Sequence, residues 1–592
     1  MTPQSPFRIP RKTPFGLGES IAEWATGLST LDKFYAMRPI GSDTKTFLRF
    51  TLESLGIDYK ITQGQLADVP QCGPTVIVAN HPLGCVEGVI LAELLLMLRD
   101  DVQILANQYL KTVPELDELF IGVDVFEGDN AAAANLKAMR QAHRHLKAGG
   151  LLLVFPAGEV SQLQGKRKHA KLEDKEWSRS VATLIKKHKA VTVPFFIDGQ
   201  NSHRFYMAGK IHPLLRTLML GRELLNKRDK QIGIRIGQAI PYKELHGLND
   251  DQLVNYLRLN TYLLHHTEAN QRHASVSDHD LEPIASPLPI AELQAELAML
   301  SRDEHLLTSG DFDVYCCRAD RIPALLHEIG RMREINFRQV GEGTGLALDL
   351  DRFDQDYLHL FIWDKEQEQL VGAYRLGVVD NLMAKHGLNG LYSRTLFNYG
   401  QPFLNKLGAR GKSIEMGRSV IAENYQRSMS ALLLLWKGIA CFVSRHPEYT
   451  HLYGPVSISN DYSEQARQLL AESMTLHHYD LDGAKFVSPT NPLPKKNQHW
   501  NNSLLAALGN LQLLSRVISR IDEGKGVPVL LRQYLGLNGK LVSFNVDPDF
   551  NNALDGLIVV DLRNVPEKTL ARYMGLSAAQ NYLNYHQTQQ VA

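Results

Sequence analysis

The chain is 592 residues long, several times the length of one domain, so two hydrophobic cores are expected. Lys plus Arg (64) balances Asp plus Glu (64), which excludes a bulk electrostatic attraction to nucleic acid and leaves any charge recognition to local patches. Cys72, Cys85, Cys316, Cys317 and Cys441 form no metal-ligand spacing, and their sparse, odd usage suits a reducing compartment without disulfides.

The first twenty residues are basic but have no apolar stretch of a secretory signal. The strongest apolar runs, 91–98 and 431–443, fall short of the roughly 20 residues that span a bilayer, so a soluble or surface-bound protein is expected. From about residue 70 to 240, β-rich runs (TVIVA, VQILA, LLLVF, VTVPFFI, IGIRIG) alternate with helical patterns such as NLKAMRQAHRHLKAGG, which Gly149 and Gly150 stop. That order predicts an α/β domain with a mainly parallel sheet, whose functional loops sit at the strand C-terminal ends. Asn80 and His81, and the segment FPAGEVS (155–161), fall at such ends.

Polar, proline-bearing text without periodicity at 266–289 reads as a linker between a domain at 1–265 and one at 290–592. The histidines in and just before it (His265, His266, His273, His279) match no familiar ligand pattern, and no metal is expected. The second half gives the helix RIPALLHEIGRMREINF, strands LHLFIW, LVGAYRLG and SIEMGRSVI, a long helix through SALLLLWKGIACFV, and two late strands, LVSFNV and LIVVDL. Adjacent strands with flanking helices predict an α+β domain.

NHPLGCVEG (80–88), FPAGEVS and VPFFIDG (193–199) resemble, in order, the NHxxxxD, FPEGTRS and VPxx blocks of the glycerolipid acyltransferase superfamily. The resemblance implies that His81 is the base that takes the acceptor hydroxyl's proton as it attacks a thioester, a task suited to a neutral histidine near pH 7. The family's acid lies five residues past the histidine, where this chain has Val86; Glu87, one further on, is the candidate to orient the imidazole. Asn80, Phe155, Pro156, Gly158 and Glu159 are the residues expected to bind substrate. The family's arginine, associated with a glycerol phosphate, is replaced by Val160, and Ala157 replaces its acid. This argues against a phosphate-bearing acceptor, and Glu159 is expected to face a cationic head group. The basic run GKRKHAK (165–171) is either a solvated loop or a contact for anionic lipid or an acidic acyl carrier.

RMREINFRQ (331–339), DLDRFDQDY (349–357), LVGAYRL (370–376) and EMGRS (415–419) resemble the autoinducer-synthase branch of the GNAT-like fold, and more closely the ornithine acyl-carrier-protein N-acyltransferases. Carried over, Arg333, Phe337, Asp351, Asp354, Arg375 and Arg418 would bind substrate, and Glu415 would strip a proton from the acceptor ammonium, directly or through a water. The arginines and aspartates could equally form a buried ion network that orders the pocket. Arg418 lies opposite Glu415 in parity unless the strand is bulged, and a distorted strand would offer backbone N–H groups to an oxyanion. NYQRSMSALL lacks the glycines of a pyrophosphate loop, which favours acyl carrier protein over coenzyme A as donor, with no bound cofactor.

Taken whole, the chain resembles the bifunctional ornithine lipid synthases of bacteria, a family often labelled hemolysins. The resemblance implies N-acylation of ornithine, O-acylation of the lyso-ornithine lipid, and a peripheral place on the cytoplasmic face of the inner membrane. Two rival readings stand: a lysophospholipid acyltransferase with a degenerate GNAT-like partner, and a non-catalytic membrane-lytic protein.

Overall fold

The computed structural model describes residues 5–8, 17–123, 131–164, 171–211, 213–266, 281–408, 411–427, 429–494 and 500–591. The chain forms two compact units, Met1–Glu268 with Gln498–Ala507, and Ala269–Asn497 with Leu508–Ala592. Residues 267–280, most of the expected linker, and Lys166, Arg167 and Lys168 of the basic run lie outside the described residues. Among those residues no single helix is long and apolar enough to cross a membrane.

The first unit holds β1 (Asp58–Gln63), β2 (Thr75–Ala79), β3 (Val102–Asn107), β4 (Phe120–Val123), β5 (Leu151–Val154), β6 (Gln162–Gln164), β7 (Lys171–Glu173), β8 (Val191–Ile197) and β9 (Gln231–Ile236). Seven of them form a sheet in the order β1-β9-β8-β2-β5-β3-β4, parallel at every junction except β8 with β9. The centre is buried on both faces: all five residues of β2 and all four of β5 are inaccessible. That explains why these strands read as unbroken apolar runs rather than alternating ones. The N-terminal sheet is thus the mainly parallel α/β one expected. Because β2 lies between β5 and β8, the three sequence blocks leave neighbouring strands at the same edge of the sheet.

The second unit holds β10 (His305–Ser309), β11 (Phe312–Arg318), β12 (Leu358–Asp364), β13 (Gln369–Val378), β14 (Phe397–Asn398), β15 (Lys412–Ile421), β16 (Tyr449–Ile458), β17 (Ser488–Pro489), β18 (Lys540–Asp547) and β19 (Ala553–Asp561). Its eight-stranded sheet runs β10-β11-β12-β13-β15-β16-β19-β18, antiparallel except for β15 with β16. That parallel pairing ends at Glu415 with Tyr453, whereas β16 stays paired with β19 as far as Ile458 with Leu554. Beyond Glu415, β15 therefore faces β16 without a continuous ladder. The helices Pro323–Gln339 and Met429–Arg445 pack against the sheet, the former through Leu325, Ile329 and Met332. This is the α+β, GNAT-like arrangement expected of the second half.

Candidate active sites

In the first unit, β2 ends at Ala79 and the chain turns through Asn80–Gly84 into the helix Cys85–Leu96. Gly84 takes φ 97°, and a Cβ there would lie 2.5 Å from Leu220 Cδ2, so both backbone and space require glycine. The tight turn brings Glu87, fully buried in the first helical turn, back beneath His81. His81 Nδ1 lies 2.9 Å from Glu87 Oε1, in a bent approach rather than a straight hydrogen bond. The same oxygen accepts the backbone N–H groups of Leu83 (2.9 Å) and Gly84 (2.8 Å), which fix its place. Burial opposes protonation of His81, but the Glu87 carboxylate and the more distant Asp174 outweigh it and raise the imidazole above its ordinary value.

Phe155 lies against the His81 ring, with centroids 4.5 Å apart, and Gly158 turns the FPAG loop at φ 68°. Pro156 is buried, its carbonyl accepting from the Ser178 N–H at 2.9 Å. Asn80 has a different occupation from the substrate contact expected. Its side chain donates to the Ile197 carbonyl (3.0 Å) and accepts the Ile197 N–H (2.7 Å), stitching the ends of β2 and β8 together. Each of its polar atoms thus has a backbone partner, although the residue still borders the neighbouring cavity.

Glu159 also departs from expectation. Its carboxylate is paired with Arg216 (2.5 Å) and with Lys175, and it accepts from Gln162 (2.9 Å). Against the pull of burial these cations hold it below the usual carboxylate range. Glu159 is thus no open anion awaiting a cationic head group. An arginine does stand beside the block in space, but it comes from the helix Pro213–Leu218, 57 residues past Glu159, and is bound to that carboxylate.

Asp174, which no sequence pattern announced, organises the loop. It is wholly buried and accepts from Ser161 Oγ (2.5 Å), Trp177 Nε1 (2.9 Å) and the His81 N–H (3.2 Å). Ser161 in turn donates its N–H to the His81 carbonyl at 2.8 Å, tying the FPAGEVS loop to the histidine loop. A cavity of about 340 Å³ opens beside them, lined by Pro82, Ser161, Leu172, Phe196, Gly199 and Tyr262 among others.

In the second unit the register slips between β13 and β15: Ala373 faces Val420 but Arg375 faces Gly417. The extra residue is a bulge, and Arg418 carries it at φ 48°. This resolves the parity conflict between Glu415 and Arg418. Glu415 is enclosed rather than open. One carboxylate oxygen accepts the Ser393 N–H (2.7 Å) and its hydroxyl, the other the Tyr392 N–H (3.0 Å) and the Tyr357 hydroxyl. Burial dominates those bonds and raises the carboxyl above its ordinary value.

Arg333, Arg375 and Asp354, all buried, form an ion network with the partly exposed Asp351. Arg333 bonds Asp354 (2.8 Å), and Arg375 bonds Asp351 (2.6 Å) and lies 3.3 Å from Asp354. Arg418 completes it through Asp349 (3.4 Å) and Asp351 (3.6 Å), its guanidinium lying over the Tyr392 and Phe550 rings at 5.2 Å each. Phe337 contacts Phe550 edge to face at 5.7 Å. The network therefore borders a group of aromatic rings, Tyr392, Phe550 and Phe337, at the bulge.

Comparison with known proteins bears on both units. Residues 30–270 match the family model described as acyltransferase, and residues 332–437 that described as acetyltransferase (GNAT) domain. The chain is an acyltransferase enzyme with one domain of each kind, both of which fit an acyl thioester as co-substrate. The non-catalytic reading is set aside. Among its relatives is a glycine N(alpha)-acyltransferase of Phocaeicola vulgatus, 26% identical over 312 residues, covering 50% of this chain and 93% of that protein. A lyso-glycine lipid O-acyltransferase of the same organism is 26% identical over 219 residues, covering 34% of this chain and 75% of that protein. The solved 1-acyl-sn-glycerophosphate acyltransferase of Thermotoga maritima aligns over 42% of this chain and 90% of its own, with 16% identity and a TM-score of 0.25.

Proposed function

We propose that the chain makes a diacylated amino-acid lipid in two steps. The GNAT unit joins a 3-hydroxyacyl group from acyl carrier protein to the α-amine of ornithine, and the first unit then esterifies the 3-hydroxyl of that lyso-lipid from a second acyl thioester. His81 takes the hydroxyl proton, Glu87 holds the imidazole and stabilises its charged form, and the same proton passes to the departing thiolate. In the second unit the acceptor ammonium loses a proton towards Glu415, by way of the Tyr357 or Ser393 hydroxyl that shields it. The N–H groups of the bulge at Arg418 receive the oxyanion.

The observation that carries the reading is the 2.9 Å approach of His81 to a buried carboxylate in one unit, beside an amine-compatible acid, Glu415, in the other. Similarity to one relative named for N-acylation and another named for lyso-lipid O-acylation supports the pairing of activities. Exposed Trp24 and Ile211, each about three-quarters accessible, support work at a lipid surface.

Mass spectrometry of lipids from a host expressing the gene tests it. His81→Ala is expected to accumulate the monoacyl amino-acid lipid, and Glu415→Ala to lose both species; unchanged profiles in both variants would refute the scheme. A second reading draws on Arg216, whose guanidinium suits a phosphate as well as the lyso-lipid's carboxylate. Acylation of lysophosphatidic acid by the Glu415→Ala protein would favour it.

A further inference from the structure

Three carboxylates outside the ion network, Glu342, Asp547 and Asp555, feel the charge of Arg418. Asp547 ends β18 and sits opposite Ala553 of β19; Asp555 lies two residues along β19, on the same face, opposite Ser457. Asp555 is 2% exposed: one oxygen accepts from Ser457 Oγ at 2.6 Å, and the other is buried with no partner. Glu342 comes from a different element, the loop after Pro323–Gln339. That loop is held against the β18–β19 turn, where a Cβ on Gly341 would meet Asn551 Nδ2 at 2.8 Å. Glu342 is 8% exposed, and among the described residues its carboxylate makes no hydrogen bond or ion pair.

These acids lie within electrostatic reach of one another and of Arg418. Burial and neighbouring acids, Asp555, Asp461 and Asp547, push Glu342 up to about 8, and burial with Asp547 pushes Asp555 up to about 7. Asp547 accepts the Asp549 N–H at 3.0 Å, whereas among the described residues Glu342 and one oxygen of Asp555 have no such partner; unpartnered buried acids are costly, and they persist where a ligand supplies the missing charge. Among the described residues these acids form no metal-ligating group. Arg418 suits a carboxylate. Arg418 and, within its reach, acids that hold their protons until a cation relieves their repulsion are together the complement of an amino acid bearing a second ammonium, whose arrival would displace those protons.

We propose that Glu342, Asp547 and Asp555 form the subsite for the side-chain ammonium of the acceptor, and that they set a preference of the GNAT unit for diamino over monoamino acids. The proposal rests on the amine-acceptor reading above and adds the residues that choose the acceptor. A glycine acceptor would leave the subsite empty, and a neutral side chain would leave its charges unpaired.

The test uses the full chain with 3-hydroxyacyl carrier protein and compares ornithine, glycine and 2-amino-5-hydroxypentanoic acid, which replaces the side-chain ammonium by a hydroxyl. Wild type is expected to favour ornithine over the hydroxy compound by at least about tenfold in kcat/KM. Asp555→Asn and Glu342→Gln are expected to raise the ornithine KM about tenfold, with kcat and the hydroxy-compound kinetics changed less than about threefold. Equal use of the two compounds by wild type overturns the subsite, as does equal loss on both in the variants. Should Asp555→Asn fail to fold, Glu342→Gln, which removes no hydrogen bond, decides alone. A wild-type chain that acylates no amino acid, including glycine, overturns the amine reading itself; one that prefers glycine overturns only the subsite.

Discussion

His81 differs from an ordinary buried histidine in what lies beneath it. Glu87 is held by two backbone N–H groups and cannot swing away, so its charge favours the imidazolium whenever the ring accepts a proton. Glu87→Gln is expected to lower O-acylation kcat by about 10²–10⁴-fold and to move the acidic limb of the kcat/KM profile to lower pH, because the carboxylate is what raises the imidazole. A limb that stays in place would mean that Glu87 acts only in folding. At Glu342 the sign is opposite in consequence. The folded chain keeps its proton up to about pH 8, whereas the unfolded chain releases it near 4.5. The stability this group contributes is complete below about pH 4.5 and is lost as pH rises through 8. Without acceptor, Glu342→Gln should therefore raise the midpoint for thermal loss of N-acylation by roughly 2–4 °C at pH 8.5 and leave it unchanged at pH 4.5. The block NHPLGCVEG and its family resemblance announced the His81–Glu87 pair, because both partners lie within six residues of one another. Asp174 and Arg216 were illegible because their meaning comes from contacts made 93 and 57 residues away. Glu159 was misread for the same reason: its cationic partners, Lys175 and Arg216, come from just past β7 and from the helix Pro213–Leu218.

Elements carry the next level of constraint. Apolar runs revealed the buried strands of the first sheet, since strands covered on both faces need no alternation. β1 and β16 gave weaker signals, one half-exposed and polar, the other broken by Gly454 and Pro455. The turn after β2 depends on Gly84, and Gly84→Ala is expected to cost roughly 1–3 kcal/mol and to suppress O-acylation while sparing N-acylation. Equal loss of both activities would place the damage elsewhere. The bulge on β15 offers a cleaner backbone experiment. Because position 418 sits at φ 48°, Arg418→Gly should be more stable than Arg418→Ala by about 1 kcal/mol, read as resistance of N-acylation to heating. The reverse order would show that the left-handed conformation is not kept.

For the molecule as a whole, two transfers in one chain raise the question of how the intermediate travels. The proposed lyso-lipid has one acyl chain and partitions into membrane, where any copy of the first unit can meet it. Mixing His81→Ala and Glu415→Ala proteins on vesicles is therefore expected to restore diacyl product to at least about half the wild-type rate. Failure to complement would mean direct hand-over within one chain.

The helix Asn502–Leu505, with Leu504 and Leu505 buried, belongs to the first unit although it lies late in the sequence. A ribosome making this protein cannot finish the first unit when residue 268 emerges. It must first translate most of the second, a wait of roughly 10–50 s at ordinary elongation rates. The O-acyltransferase unit, first in the gene, is thus completed late, and cutting the gene at the linker would yield a fragment missing part of its own core.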